Sequence, residues 1–293
     1  MDRFMSPSRR VFVVFNTIFC ALVGLLCIMP VLHIFSLSLS EKAHIMAGNV
    51  GFWPIGFTLD NYRYVIKDAQ FYTAFGISVV RTLLALVIVM LLTIMAAYPL
   101  SMRRADFPAR RVYIWLFVIP MLFNGGLIPT YMMVVRTKLI NTLWALILPC
   151  AVPVYNVILL QNFMKALPDA IAEAAYIDGA DHITTLTRVV LPLCLPSLAT
   201  LSLFVAVGHW NAWYDGMLYI NDNMKFPLQT YLRTVVVAVN IDQITDVDSL
   251  SQMVATVGAD SAKVFLALAP MLLVYPFAQK YFIHGIVQGS VKG

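Results

Sequence analysis

The chain has 293 residues, 60% of them hydrophobic and only 12% charged, with a formal net charge of +5. A soluble domain carries about 25% charged residues, so this composition leaves too little polar surface for a water-soluble globule and points to a polytopic membrane protein. The positive excess forms no basic patch with interleaved aromatics, which argues against a nucleic-acid partner and for Lys and Arg held on one side of a bilayer.

Arg3, Arg9 and Arg10 precede an apolar run over about residues 11–39. That run is too long for the core of a signal peptide and has no clean small-residue cleavage site. It is predicted to be an uncleaved first membrane helix with its N-terminus inside. A helix needs about 20 apolar residues to cross the hydrocarbon core. Residues 40–74 are mixed, with Gly48, Gly51, Pro54 and Gly56. They read as an external loop holding a short helix capped by Thr58 or Asp60.

Further spans are expected at about residues 75–101, 112–135, 142–164, 193–214 and 263–283. Between the second and third, Arg103, Arg104, Arg110 and Arg111 fall within nine residues. This is the strongest positive-inside signal in the chain and sets that loop in the cytoplasm. Counting onward, residues 165–192 are cytoplasmic and 215–262 external, with a helix near Pro227 and an acidic part at 242–250. The tail, with Lys280 and Lys292, ends inside. The fold class is therefore all-α, six spans in one membrane domain over 1–293, both termini cytoplasmic. Cys20, Cys27, Cys150 and Cys194 lie in apolar segments without CxxC spacing, so no metal or disulfide framework is read. No phosphate-binding G-x-x-x-x-G-K-[ST] loop exists, so any ATP chemistry belongs to another chain.

The polar stretch from Glu173 to Pro192 interrupts the apolar pattern while still reading as helix. It has the form E-A-A, three residues, Gly179, nine residues, then Val189-x-Leu191-Pro192. Pro168 suits a first helical turn, and Ala170, Ala172, Ala174 and Ala175 keep the helix thin. Gly179 supplies a turn that a Cβ resists, and Asp181 caps a second helix running to Val190. A thin helix fits deep in a groove on a partner, with the Glu173 carboxylate offered to a donor there. The plain alternative is an ordinary amphipathic surface helix.

Polar residues inside apolar segments are candidates for a transport path. In FNGGLIPTY, Gly125, Gly126 and Pro129 weaken the helix around Asn124. Such a break lines a path, or is a kink packed on a neighbour. In VGHWNAWYD, His209 and Trp213 share a helical face and Asn211 points away from it. These side chains suit the hydroxyls and C–H faces of sugars, or form an interfacial belt. Arg81 lies about a turn and a half inside the second span; it serves a uronate carboxylate as a bidentate ligand, or snorkels to headgroups. Asn156 and Gln161 are weaker candidates of the same kind. His33, His44, His182 and His284 are isolated, without metal or triad spacing, so no catalytic or metal-binding residues are expected.

On Glu173–Pro192, FNGGLIPTY, NTLWALILP (Asn141–Pro149), VGHWNAWYD and the ending QKYFIHGIVQGSVKG, the chain resembles the smaller membrane subunit of carbohydrate ABC importers of the maltose-permease type. The resemblance covers essentially the full length. It is strongest to the branch that imports complex or acidic polysaccharide fragments, alginate oligosaccharides among them. His284 stands where that branch usually has Lys. The resemblance implies a type I importer permease with a cytoplasmic coupling helix between spans 4 and 5. It assigns Glu173, Ala174, Ala175, Asp178, Gly179, Leu191 and Pro192 to ATPase coupling. It further implies a second homologous permease, two ATPase subunits that hold ATP and Mg, an external solute-binding protein, and a bacterial inner membrane. No enzyme activity and no cofactor are then expected in this chain. An ABC importer for another solute class shares the E-A-A loop. An ATP-independent secondary transporter predicts half-chain repeats or buried acidic relays, and the sequence has neither.

Overall fold

Long apolar runs of helix-favouring residues leave the backbone no water to bond, so it bonds to itself. In the computed structural model, which describes residues 7–103, 105–123, 125–237 and 256–276, these runs are helices, and no strand occurs among the described residues. Arg3, Arg104, Asn124, the acidic part at 242–250, the end of the sixth predicted span and the tail with Lys280, His284 and Lys292 lie outside them. The described parts of residues 1–71 and 232–269 form one compact unit, and those of 72–231 and 270–293 another.

In the first unit, helix Pro7–Ser38 carries the first apolar run, and its most apolar window buries nothing against the rest of the chain. Its C-terminal carbonyls would be left without partners. Asn61, on helix Asp60–Ile66, answers this by donating to the Ser38 and Ser40 carbonyls, both at 3.1 Å. Helix Thr256–Pro276 brings Phe265 against Phe35, with ring centroids 4.7 Å apart. It also carries Lys263, 5% exposed, whose ammonium lies 2.9 Å from Asp68 and 3.8 Å from Asp260. Two carboxylates make a buried ammonium tolerable.

In the second unit, helix Ala69–Ser101 runs unbroken through the second span. The third predicted span is two helices, Arg110–Leu122 and Leu127–Arg136, parted near the glycine pair; Gly126 has φ +88°. The fourth, expected as one helix over 142–164, is instead two short 3₁₀ turns, Leu143–Leu146 and Leu148–Cys150, then helix Val154–Lys165, with a 49° bend. Pro149 and Pro153 are the cause. Neither has an N–H for an α ladder, and the tighter turns take its place. Helix Asp169–Ile177 follows, then His182–Leu193, whose middle, Thr185–Val190, is π-helical. An 83° bend leads into Leu195–Asn211. That helix stops at Asn211, short of the expected 214, because Ala212 turns extended at ψ 124°. Helices Tyr214–Tyr219 and Leu228–Val237 come next, the latter directly after Pro227.

Among the described residues, three single helices are long and apolar enough to cross a membrane, and three bent pairs pass together, which gives up to six spans when each pair counts once. The core of this unit joins Val89 and Ala97 to Val157, Leu160, Leu201 and Val205, from three of the spans. Against lipid this core gains little from the hydrophobic effect; close packing holds it.

Candidate functional site

Two places in the second unit collect the predicted residues. The first is helix Asp169–Ile177 and its exit. Pro168 stands before the first turn in an extended conformation, φ −60° and ψ 131°. Glu173, Ala174 and Ala175 lie on the helix and Asp178 closes it. Gly179 follows at φ +83°; its N–H donates to the Tyr176 carbonyl at 3.0 Å, and the Ala180 N–H to Ala175 at 2.9 Å. This is the Schellman ending, which requires a left-handed residue at that position. Asp181 then accepts from the Thr184 N–H at 2.9 Å. Hydrogen bonds from Thr184, through side chain and backbone, hold the Asp181 carboxyl below its ordinary pKa. Tyr176 and His182 join the two helices, hydroxyl to Nδ1 at 3.0 Å. Leu191 and Pro192 close the second helix, Leu191 half-buried and Pro192 exposed.

Glu173 has a partner that its spacing did not indicate. The Arg103 Nη2 donates to Glu173 Oε1 at 2.5 Å, with Asp106 at 3.7 Å and Asp169 at 4.0 Å from the same guanidinium. The Glu173 hydrogen bond first, then the charge of Asp169, raise the Arg103 pKa further. Both side chains are about half exposed, 52% and 51%. Beneath them lies a cavity of about 360 Å³, lined by Tyr98, Lys165, Ala172, Tyr176 and Thr185 among others. The arginine cluster between spans 2 and 3 thus serves this site as well as the topology.

The second place is a cavity of about 320 Å³ that gathers Arg81, Asn156, His209 and Asp215, with Cys150 and apolar walls from Val89, Phe204 and Val205. Arg81 is 1% exposed. Its Nη2 donates to Asp215 Oδ2 and, at 3.3 Å, to the Leu146 carbonyl. Its Nη1 donates to the Ala212 carbonyl at 3.3 Å and Asp215 Oδ1 at 3.4 Å. Arg81 therefore neither snorkels nor presents a free fork to a uronate, because Asp215 already occupies that fork. Asn156 and His209 are 6% and 9% exposed. The His209 Nδ1 is buried and has no hydrogen-bond partner among the described residues.

Asn211 and Trp213 do not line this cavity. Asn211 is exposed at the end of its helix. Trp213 lies beyond that end, its ring edge-on to Tyr214 at 5.5 Å and its carbonyl accepting from Thr230 Oγ1 at 2.8 Å. The shared helical face with His209 is lost because the helix has stopped. Asn124 lies outside the described residues.

Comparison with known proteins gives these two places a context. The family model for the binding-protein-dependent transport system inner membrane component matches residues 89–286. Protein LplC of Bacillus subtilis (strain 168) is 39% identical over 289 residues, spanning 98% of this chain and 97% of that protein. The polygalacturonan/rhamnogalacturonan transport system permease protein YtcP of the same organism is 37% identical over 284 residues, 94% of this chain and 96% of that one. A solved structure of a bacterial ABC transporter involved in the import of the acidic polysaccharide alginate has a chain matching at TM-score 0.86 and 28% identity. That match covers 95% of this chain and 99% of the other. With an all-helical type I fold and several apolar spans, the chain is a multi-pass translocation subunit, and it belongs to the inner membrane components of binding-protein-dependent transport systems, the permeases of ABC importers.

Proposed function

We propose that this chain is one of two homologous permease subunits of a bacterial inner-membrane importer for oligosaccharides, acidic ones included. Separate ATPase subunits, which hold ATP and Mg, drive it from the cytoplasm, and an external solute-binding protein delivers the cargo. Both termini lie inside, as the arginine loop at residues 103–111 favours. The carbohydrate cargo is supported by likeness to a polygalacturonan/rhamnogalacturonan transport system permease protein and to a chain of an ABC transporter involved in alginate import.

The observation that carries the reading is the helix Asp169–Ile177 with its Schellman ending. It is short, thin on its alanine positions, and joined through a π-helical turn to the span Leu195–Asn211. A groove on the ATPase that grips this helix moves that span with it, and the attached helices tilt to open and close the path. Glu173 is half exposed in its pair with Arg103. An exposed pair of this kind contributes little net stability, so the carboxylate is exchanged readily for a donor on the ATPase.

The test is uptake of labelled oligosaccharide into proteoliposomes holding the complete importer and its binding protein. Deleting residues 173–179 is expected to abolish ATP-driven uptake and co-purification of the ATPase. Unchanged assembly with coupled uptake would sink the reading, and so would uptake through this chain alone without ATP.

A further inference from the structure

The Arg81–Asp215 pair changes which cargo the cavity beside it suits. Arg81 contributes one positive charge and Asp215 one negative, so the pair is neutral. Both Nη atoms are already engaged by Asp215 and by the Leu146 and Ala212 carbonyls. A carboxylate entering the cavity meets the Asp215 carboxylate and a cation whose charge Asp215 already balances, and two anions in a poorly hydrated space repel. Arg81 Nε is also buried without a hydrogen-bond partner, but the charge of its guanidinium is balanced by Asp215, which leaves uncharged groups to hold a ligand. His209 Nδ1 is buried without a protein partner, and the Asn156 carboxamide is 94% buried on the same wall, its exposure being 6%. A carboxamide both donates and accepts, and an imidazole nitrogen does one or the other by tautomer. A hydroxyl group answers both. Val89, Phe204 and Val205 face it with apolar surface that suits the C–H face of a sugar ring. At about 320 Å³ the cavity stands at the small end of ligand pockets, which run from about 300 to 1,000 Å³.

We infer that this cavity is a subsite for one uncharged, hydroxyl-bearing pyranose face of the cargo, bound by His209 and Asn156, and that Arg81 is a positioning residue that does not touch the cargo. The inference rests on the proposal that the chain moves saccharides. Selection for acidic groups then belongs to other parts of the importer.

The probes are a galacturonan trisaccharide and its methyl ester, taken up by proteoliposomes holding the complete importer and its binding protein. Ratios to the unmodified importer remove the binding protein's own preference. His209→Leu and Asn156→Leu are each expected to lower uptake of both probes about tenfold and in equal proportion, as the loss of one hydrogen bond in a buried site does. His209→Asn, which returns a polar atom near the position of Nδ1, is expected to restore most of that uptake, which separates a contact from a folding defect. Asn156→Asp adds a second carboxylate and is expected to lower the acid-to-ester ratio about tenfold, the size of a modest like-charge penalty. Uptake unchanged in both leucine variants overturns the subsite. Loss confined to the acidic probe overturns its uncharged character. No uptake of either probe by the unmodified importer overturns the acidic-oligosaccharide cargo on which the inference rests, a result distinct from failure of the subsite.

Discussion

At the scale of single residues, Arg81 and Asp215 dominate. Their atoms are tied to each other and to two carbonyls from neighbouring segments, and Arg81 is almost wholly enclosed. Removing Asp215 strands the charge of Arg81, whose side chain is 1% exposed against 26% for Asp215. Asp215→Ala is expected to destabilise the assembled permease by about 3–5 kcal/mol, read by thermal unfolding in detergent. The double variant Arg81→Met, Asp215→Leu is expected to recover much of that loss, since an apolar pair of similar volume leaves no stranded charge. Asp181 gives a milder, pH-dependent effect. Its carboxyl titrates lower in the folded chain than the unfolded value of about 3.9, held down by Thr184. Its capping contribution is therefore complete above that unfolded value and is lost as pH falls through the lowered one. The Thr184 amide proton shift, followed by NMR through acid pH, is expected to move only below pH about 3.9.

At the scale of elements, helix endings control the architecture more than helix interiors do. Gly179 holds a left-handed turn that costs a residue with Cβ roughly 1–2 kcal/mol. Gly179→Val is expected to fray the last turn of Asp169–Ile177 and to lower the ratio of cargo moved to ATP hydrolysed, with Gly179→Asn milder. The apolar runs, the glycine break in the third span, the cap at Asp181 and the turn at Gly179 were all legible in the sequence, because each depends on residues within a few positions. The 3₁₀ turns at Leu143–Cys150 and the early stop at Asn211 were not. Hydropathy averages over such breaks, and a stretch rich in apolar residues scores as span whether its helix is straight or broken. The partners of Arg81 and Glu173 were hidden for another reason. They lie 134 and 70 positions away, and no periodicity reaches so far.

At the scale of the whole molecule, the chain is a translocation subunit, with its drive proposed to come from separate ATPases. Its described residues make up to six apolar passages when bent pairs are joined, and the thin helix at Asp169–Ile177 is the proposed handle. Arg103 holds that handle from the loop after the second span, in contact with Glu173, Asp169 and Asp106. Arg103→Ala is expected to leave assembly intact, because exposed pairs add little stability, while raising ATP hydrolysis not matched by uptake. Equal coupling in the variant and the unmodified importer would remove Arg103 from the drive.

The pair described at Arg81 also has a consequence in time. Arg81 is synthesised 134 residues ahead of Asp215. When its helix enters the bilayer, its counter-ion has not yet been translated. An arginine costs up to about 2.5–3.5 kcal/mol on insertion, the full figure applying at the helix centre, and the strongly apolar remainder of Ala69–Ser101 outweighs this during that interval. The extreme hydropathy of the second span is thus a requirement of biogenesis as well as of the finished fold. Polar substitutions at exposed positions of this helix, such as Leu83 and Val87, should impair insertion before any contact of the mature protein has formed.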